Sequence, residues 1–361
     1  MNALFPLVLG LALTPDPQAP ALVQNWVDDT AFNGVIRVQT GENEGLSWSW
    51  GLADPDTQRP MTADTRFQTG SVEKYFASIA TFALMDEGVL SLDAPISTYL
   101  PDYRSDTGAR LTLRTLLSNT SGLPNDLRNA FRRIANGEQD AVDAQSVAEA
   151  VADYASGDLA FEPGAHFDYA LSNWLLVQHL LEEVAGLPYP QVRQRYVFDR
   201  AGMTQSGGYV HDLTEADPAV SNIAIGYDPF DPAGQGDYWT PRFFKGSYTT
   251  AQDLIVLEQA LEAGDVLSDE ALREFRTVQV PEQNYAYGGR YREVELCGAV
   301  WTASAQSGSN GATNITALYV PGLAAGVAML TNVDESQGEM FALSYQLLEE
   351  QVACSDLAEL N

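Results

Sequence analysis

The run Thr69-Gly70-Ser71-Val72-Glu73-Lys74 sets a hydroxyl and an amine three residues apart, where a strand gives way to a helix that begins around Ser71. Residues at that spacing share one helical face, so the Ser71 hydroxyl and the Lys74 ammonium come within hydrogen-bonding reach. A serine hydroxyl is a weak nucleophile until a base accepts its proton, and a lysine can be that base where burial depresses its pKa. The positive end of the helix also lies close to the oxygen that must carry charge. Glu73, one residue away, is expected to point elsewhere. Ser-x-x-Lys also arises as a helix cap followed by a surface lysine, but the composition favours chemistry here. The chain has only two lysines, Lys74 and Lys245, and arginine supplies the rest of its side-chain cations apart from histidine. Lysine, unlike arginine, can lose its proton at tolerable cost.

The elements that must hold this pair are legible in part. Residues 35–39 and 46–50 alternate like strands across a turn-rich 41–45, and residues 315–320 and 324–330 flank Pro321-Gly322 as a second hairpin. Helical periodicity runs through 75–88, 146–154 and 171–185, the last ending at the stop residue Gly186, and further helices are expected over 251–262 and 340–352. The layout is split: the two chain ends share one antiparallel sheet and helices are inserted between them. The Pro/Gly-rich stretches 186–190 and 228–236 read as surface connections. No internal repeat or long low-complexity tract is found.

With these landmarks the chain resembles the β-lactamase-related serine hydrolases: class C β-lactamases, DD-carboxypeptidases, D-aminopeptidases and esterases of the same fold. The resemblance runs from about residue 32 to 334. It rests on Phe67-Gln68-Thr69-Gly70-Ser71-Val72-Glu73-Lys74 and on the stretch 88–101. It rests further on Leu116-Leu117-Ser118-Asn119-Thr120-Ser121-Gly122-Leu123, on Pro163-Gly164 with Phe167-Asp168-Tyr169, on Gly202-Met203-Thr204, and on 246–254. It implies an α+β fold, β-lactamase/transpeptidase-like, with an antiparallel sheet covered by helices and an inserted mainly helical region. The sheet part would comprise residues 21–75 and 245–361 and the helical part 76–244, with the active site in the groove between.

The resemblance also implies roles. Tyr169 occupies the tyrosine of the second motif, Tyr-x-Asn, where a phenol shuttles a proton between Ser71, Lys74 and the leaving group. The asparagine position of that motif falls on Leu171, and Asn173 lies two residues later. The third motif, Lys-Thr-Gly or His-x-Gly, corresponds to Gln306-Ser307-Gly308, which removes the usual cation from that strand, and no histidine follows His211. Gln306 can hydrogen-bond but cannot neutralise charge, and Gly308 allows close approach of substrate. The backbone N–H groups of Ser71 and Ser309 would form the oxyanion hole. Lys245, before Gly246, is a candidate for the replacement charge, the alternative being a solvent-facing lysine. The implied chemistry is acyl transfer from an ester or amide, esterase-like activity standing slightly ahead. β-lactamase, D-Ala-D-Ala carboxypeptidase or D-aminopeptidase activity is the alternative, and a non-catalytic binding module the alternative of another class.

The bulk properties exclude other classes. With 49 Asp+Glu against 19 Lys+Arg, the net charge of −30 makes nucleic acid an improbable partner, since a phosphate backbone would be repelled. Outside the N-terminus no apolar run reaches the roughly 18–20 residues of a membrane span. Residues 3–13 are apolar and are followed by a polar, proline-rich 14–20. This is the pattern of a secretory leader without its usual basic residue, and it points to a periplasmic or secreted protein without excluding a cytoplasmic one. Cys297 and Cys354 are too few for a disulfide scaffold; one bridge between them and two buried free thiols are both open. His166, His179 and His211 lack the spacing of a zinc site, and no phosphate loop or dinucleotide fingerprint is present, so no cofactor or metal is expected.

Overall fold

The computed structural model describes residues 19–41, 45–135, 146–209, 222–227 and 246–352. In chain order, α1 (Ala21–Thr30) leads into β1 (Gly34–Thr40), β2 (Leu46–Trp50), β3 (Leu52–Asp54), β4 (Arg59–Pro60) and β5 (Phe67–Gln68). A 3₁₀ turn over Gly70–Val72 opens α2 (Glu73–Asp86). The helical stretch continues through α3 (Ser105–Gly108), α4 (Leu113–Leu117), α5 (Asp126–Ala135), α6 (Val147–Tyr154), α7 (Leu171–Ala185), α8 (Tyr189–Arg193) and α9 (Asp199–Ala201). Next come β6 (Gly207–Tyr209), β7 (Gly246–Thr249), α10 (Ala251–Ala263) and α11 (Asp269–Phe275). The strands β8 (Tyr291–Leu296), β9 (Ala299–Asn310), β10 (Thr313–Val320) and β11 (Ala325–Thr331) precede the closing α12 (Gln337–Gln351).

The main sheet has the order β2-β1-β11-β10-β9-β8, every neighbouring pair antiparallel, so the two chain ends do share one sheet. Its central strands are apolar on both faces. Val35, Ile315, Ala317, Tyr319, Ala328 and Leu330 face the helices around α2 and α10. Ile36, Val38, Leu318, Val320, Val327 and Met329 face α1 and α12, meeting Val23, Val27, Phe341 and Leu347. Each large apolar side chain so buried contributes roughly 1.5–3 kcal/mol. Because the side-chain period of a strand is two, a one-residue slip would exchange the two cores, and the register is fixed accordingly.

The helix α2 is buried on nearly all sides, from Glu73 through Leu84, as expected of a helix at the centre of a core. Helix α7 has the bounds read from its periodicity, 171–185, and is closed by Gly186. Two expectations change. Residues 186–190 are not a plain surface connection: Tyr189 opens α8 and is 3% exposed, because its hydroxyl is drawn to the buried Glu73. The long strands β8 and β9 and the helices α3 to α5 were not expected from the pattern. The stretch 228–236, His211 and Lys245 lie outside the described residues. Cys297 is disulfide-bonded, and the one other cysteine of the sequence, Cys354, also lies outside them. No helix among the described residues is long and apolar enough to cross a membrane.

Candidate active site

The 3₁₀ turn presents Ser71 at the entrance of α2, and Lys74 follows one turn later on the same face. The Lys74 ammonium donates to Ser71 Oγ at 3.2 Å. Lys74 is only 5% exposed and has no carboxylate partner among the described residues. It lies 5.0 Å from the ring centroid of Tyr169, which precedes α7, and 5.9 Å from that of Trp174 within α7. Aromatic faces can hold an ammonium without fixing its proton, as a carboxylate would. Ser71 and Tyr169 are both half-buried.

The backbone around Ser71 is pressed against β9. On β9, Ser304, Gln306 and Gly308 lie opposite Tyr319, Ala317 and Ile315 of β10, which sets them on the α2 side of the sheet. A Cβ on Gly308 would sit 2.1 Å from Thr69 O and 2.9 Å from Ser71 N, and one on Gly70 would sit 2.7 Å from Ser309 N. Only glycines allow these two chain segments to meet so closely. Ser71 N therefore lies close to Gly308, and Ser309 N close to Gly70. Gln337 Nε2 donates to Gly308 O at 2.8 Å and steadies the strand from α12.

Gln306 is placed differently from its reading as a substrate contact. It is 4% exposed, and its amide is spent on neighbouring protein groups. Its Nε2 donates to Arg290 O at 3.2 Å and to Ser304 Oγ at 2.9 Å, while its Oε1 accepts from Arg290 N at 3.3 Å. Ser304 in turn donates to Glu258 Oε1 at 2.6 Å, and Tyr75 donates to the same oxygen at 2.9 Å. Burial pushes the Glu258 carboxyl above its ordinary range, and Arg276 pulls the other way.

Glu73 points away from Lys74, as its helical position requires. It forms an ion pair with Arg193, which is fully buried, and accepts from the hydroxyls of Ser247 and, at 2.8 Å, Tyr189. Burial and then the charge of Glu73 push the Tyr189 phenol well above its ordinary value, so it remains a donor. Ser247 Oγ lies 2.8 Å from Thr69 Oγ1, and Thr69 N–H donates to Ser247 O at 2.9 Å. The network thus ties the segment leading into Ser71 to β7 and α8.

One further residue of the site, Asn125, carried no sequence signal. Asn125 donates from Nδ2 to Tyr169 O and accepts from Leu171 N–H, both at 2.9 Å, and so clamps the backbone on either side of Ala170. Asn173 is buried, accepting from Ser121 Oγ at 2.5 Å and donating to Asn119 Oδ1 at 3.2 Å. Leu171 packs on the core, so no side-chain amide takes the asparagine position of the second motif.

The family model for Beta-lactamase matches residues 21–351. The chain belongs to the Beta-lactamase family. It is 27% identical over 274 residues to the putative penicillin-binding protein PbpX of Bacillus subtilis, covering 74% of this chain. It is 26% identical over 278 residues to esterase EstB of Burkholderia gladioli, covering 68% of this chain and 71% of that protein. The chain spans less than two thirds of the curated relatives it matches first, 63% of PbpX and 42% of a second penicillin-binding protein of the same organism. A solved penicillin-binding protein from Bacillus halodurans shares the fold, with a TM-score of 0.76 at 23% identity over 90% of this chain and 98% of that one.

Proposed function

We propose that this member of the Beta-lactamase family is a serine hydrolase that works through an acyl-enzyme, with esters as its favoured substrates. The observation that carries the reading is the 3.2 Å contact between Ser71 Oγ and a buried Lys74 that no described carboxylate neutralises. Ser71 Oγ forms a bond to the substrate carbonyl carbon as its proton passes to Lys74 Nζ. The N–H groups of Ser71 and Ser309 receive the charge that builds on the carbonyl oxygen. Collapse breaks the bond to the leaving alcohol, whose oxygen takes the proton by way of Tyr169. Water then attacks the acyl-Ser71 ester, the same groups taking and returning its proton, and the acid leaves.

Two features favour esters over lactams and peptides. Gln306 spends its amide on Arg290 and Ser304, and Leu171 offers no amide to a substrate peptide group. Losing such contacts weakens transition-state binding while leaving the acylation groups intact, which an activated ester tolerates better than an amide. Similarity to an esterase agrees with this order. The test is a side-by-side assay of p-nitrophenyl butyrate, a chromogenic cephalosporin and a D-alanyl-D-alanine peptide. The highest kcat/KM is expected for the ester. A higher value for the cephalosporin or the peptide would overturn the ester preference, and turnover of none would point to a binding module.

A further inference from the structure

From a cavity in the helical part of the molecule we infer a second ligand site, separate from the Ser71 site, for a small organic cation with an apolar body. The inference stands apart from the acyl-transfer reading. The cavity, of about 470 Å³, opens between the turn 99–104, α6 and the C-terminal half of α7. Pockets that take drug-sized molecules run from roughly 300 to 1,000 Å³. None of its lining residues belongs to the turn that carries Ser71, to the segment before α7 or to β9. His179 on its wall lies eight residues along α7 from Leu171, about 12 Å at the helical rise.

The cavity is apolar within and its frame is already fixed. Leu100 and Val151 are buried, and Tyr103 is 9% exposed, its hydroxyl donating to Ala155 O at 2.7 Å. Arg104 Nη1 donates to Ser156 O at 2.8 Å, so Tyr103 and Arg104 together pin the turn to the end of α6. The phenol of Tyr99 is held in turn by Ser91 N–H at 2.9 Å. The charges on the wall decide the sign of the ligand. The Arg104 guanidinium is already spent on Asp106 and Asp158. Glu183 and Asp102 also line the cavity, and among the described residues neither makes an ion pair or a hydrogen bond. His179, one turn before Glu183 on the same face of α7, makes none either. Burial lowers the His179 pKa while Glu183 pulls the other way, so a neutral imidazole keeps one ring nitrogen as an acceptor. Acidic residues are common on this protein, but these two rim an apolar cavity. An ammonium there meets a carboxylate, an imidazole nitrogen and the phenol rings of Tyr99 and Tyr103, which attract cations. An anion would meet two carboxylates that no cation offsets, within a protein of net charge −30.

The test is isothermal titration of the full-length chain at pH 7.5 with phenethylamine, 2-phenylethanol and 3-phenylpropionate, which share a phenyl body and differ in charge. Phenethylamine is expected to saturate one site at least about fivefold more tightly than either of the others, and Glu183→Gln should remove about that factor. Ala152→Trp fills the cavity from an exposed position on α6 and should abolish the binding, with Tm held within about two degrees. Ser71→Ala should bind phenethylamine as the parent does, because the two sites are separate. Absence of saturable phenethylamine binding would overturn the inference. So would full affinity in Glu183→Gln or in folded Ala152→Trp, equal or tighter binding of 3-phenylpropionate, or loss of binding in Ser71→Ala.

Discussion

Gly308→Ala should inactivate the protein without unfolding it, and the size of the effect follows from the geometry. The new Cβ would lie 2.1 Å from Thr69 O, against a floor near 3.0 Å, and 2.9 Å from both Ser71 N and Val72 N. All three neighbours are backbone atoms, so no side chain can swing aside. Relief requires about 1 Å of separation between β9 and the turn that carries Ser71. Overpacking of this kind costs typically 1–3 kcal/mol, a fall of only a few degrees in Tm for a chain of this size. Catalysis suffers more, because the same shift misaligns the Ser71 and Ser309 amides. A misplacement of about 1 Å, or loss of one oxyanion donor, costs on the order of 10²–10³-fold in rate. The assay is kcat for p-nitrophenyl butyrate beside a thermal melt. A kcat within threefold of the parent, with the melt lowered or not, would refute the proposed role of this contact.

Tyr169→Phe should lower kcat by roughly 10²–10⁴-fold while Tm holds within a degree or two, since its hydroxyl has no hydrogen bond among the described residues; a loss below threefold would remove it from the proton path. Arg193→Met strands the buried Glu73 carboxylate and should cost about 3–5 kcal/mol, seen as a lower urea midpoint, whereas an unchanged midpoint would mean the pair contributes nothing. Glu258 makes a pH-dependent contribution of definite sign. Its folded pKa is raised by burial, so its contribution to stability is full below the ordinary glutamate value and is lost as pH rises through the folded one. Relative to wild type, Glu258→Gln should therefore be less destabilised at pH 7.5 than at pH 4.5, and urea unfolding at the two values would expose the opposite order.

The parts of this molecule governed by local pattern were legible before the fold. Residues 171–185 form the helix their periodicity required, and the hairpins at the two chain ends pair within one sheet whose central strands bury apolar residues on both faces. Ser71 and Lys74 meet because helical geometry fixes their spacing. What escaped the reading depends on partners distant in sequence. The inward polar residues Ser304 and Gln306 break the hydrophobic signal of β9, and they are inside only because Glu258 and the Arg290 backbone satisfy them. Tyr189 reads as part of a loop until Glu73, 116 positions earlier, claims its hydroxyl. Asn125 gives no sign of its role until the backbone of Tyr169 and Leu171 closes on it. In each case a buried polar group found its partner through the fold, which no local pattern encodes.

The central claim, that the Ser71 hydroxyl is made reactive by Lys74, is tested most directly by covalent labelling. A fluorophosphonate probe is incubated with the parent chain, Ser71→Ala and Lys74→Met, and intact mass is followed with time. One probe equivalent should add rapidly to the parent and not to Ser71→Ala, and Lys74→Met, folded by its thermal melt, should label at least about 10²-fold more slowly. Labelling of Ser71→Ala at the parent's rate, or of Lys74→Met as fast as the parent, would contradict the account.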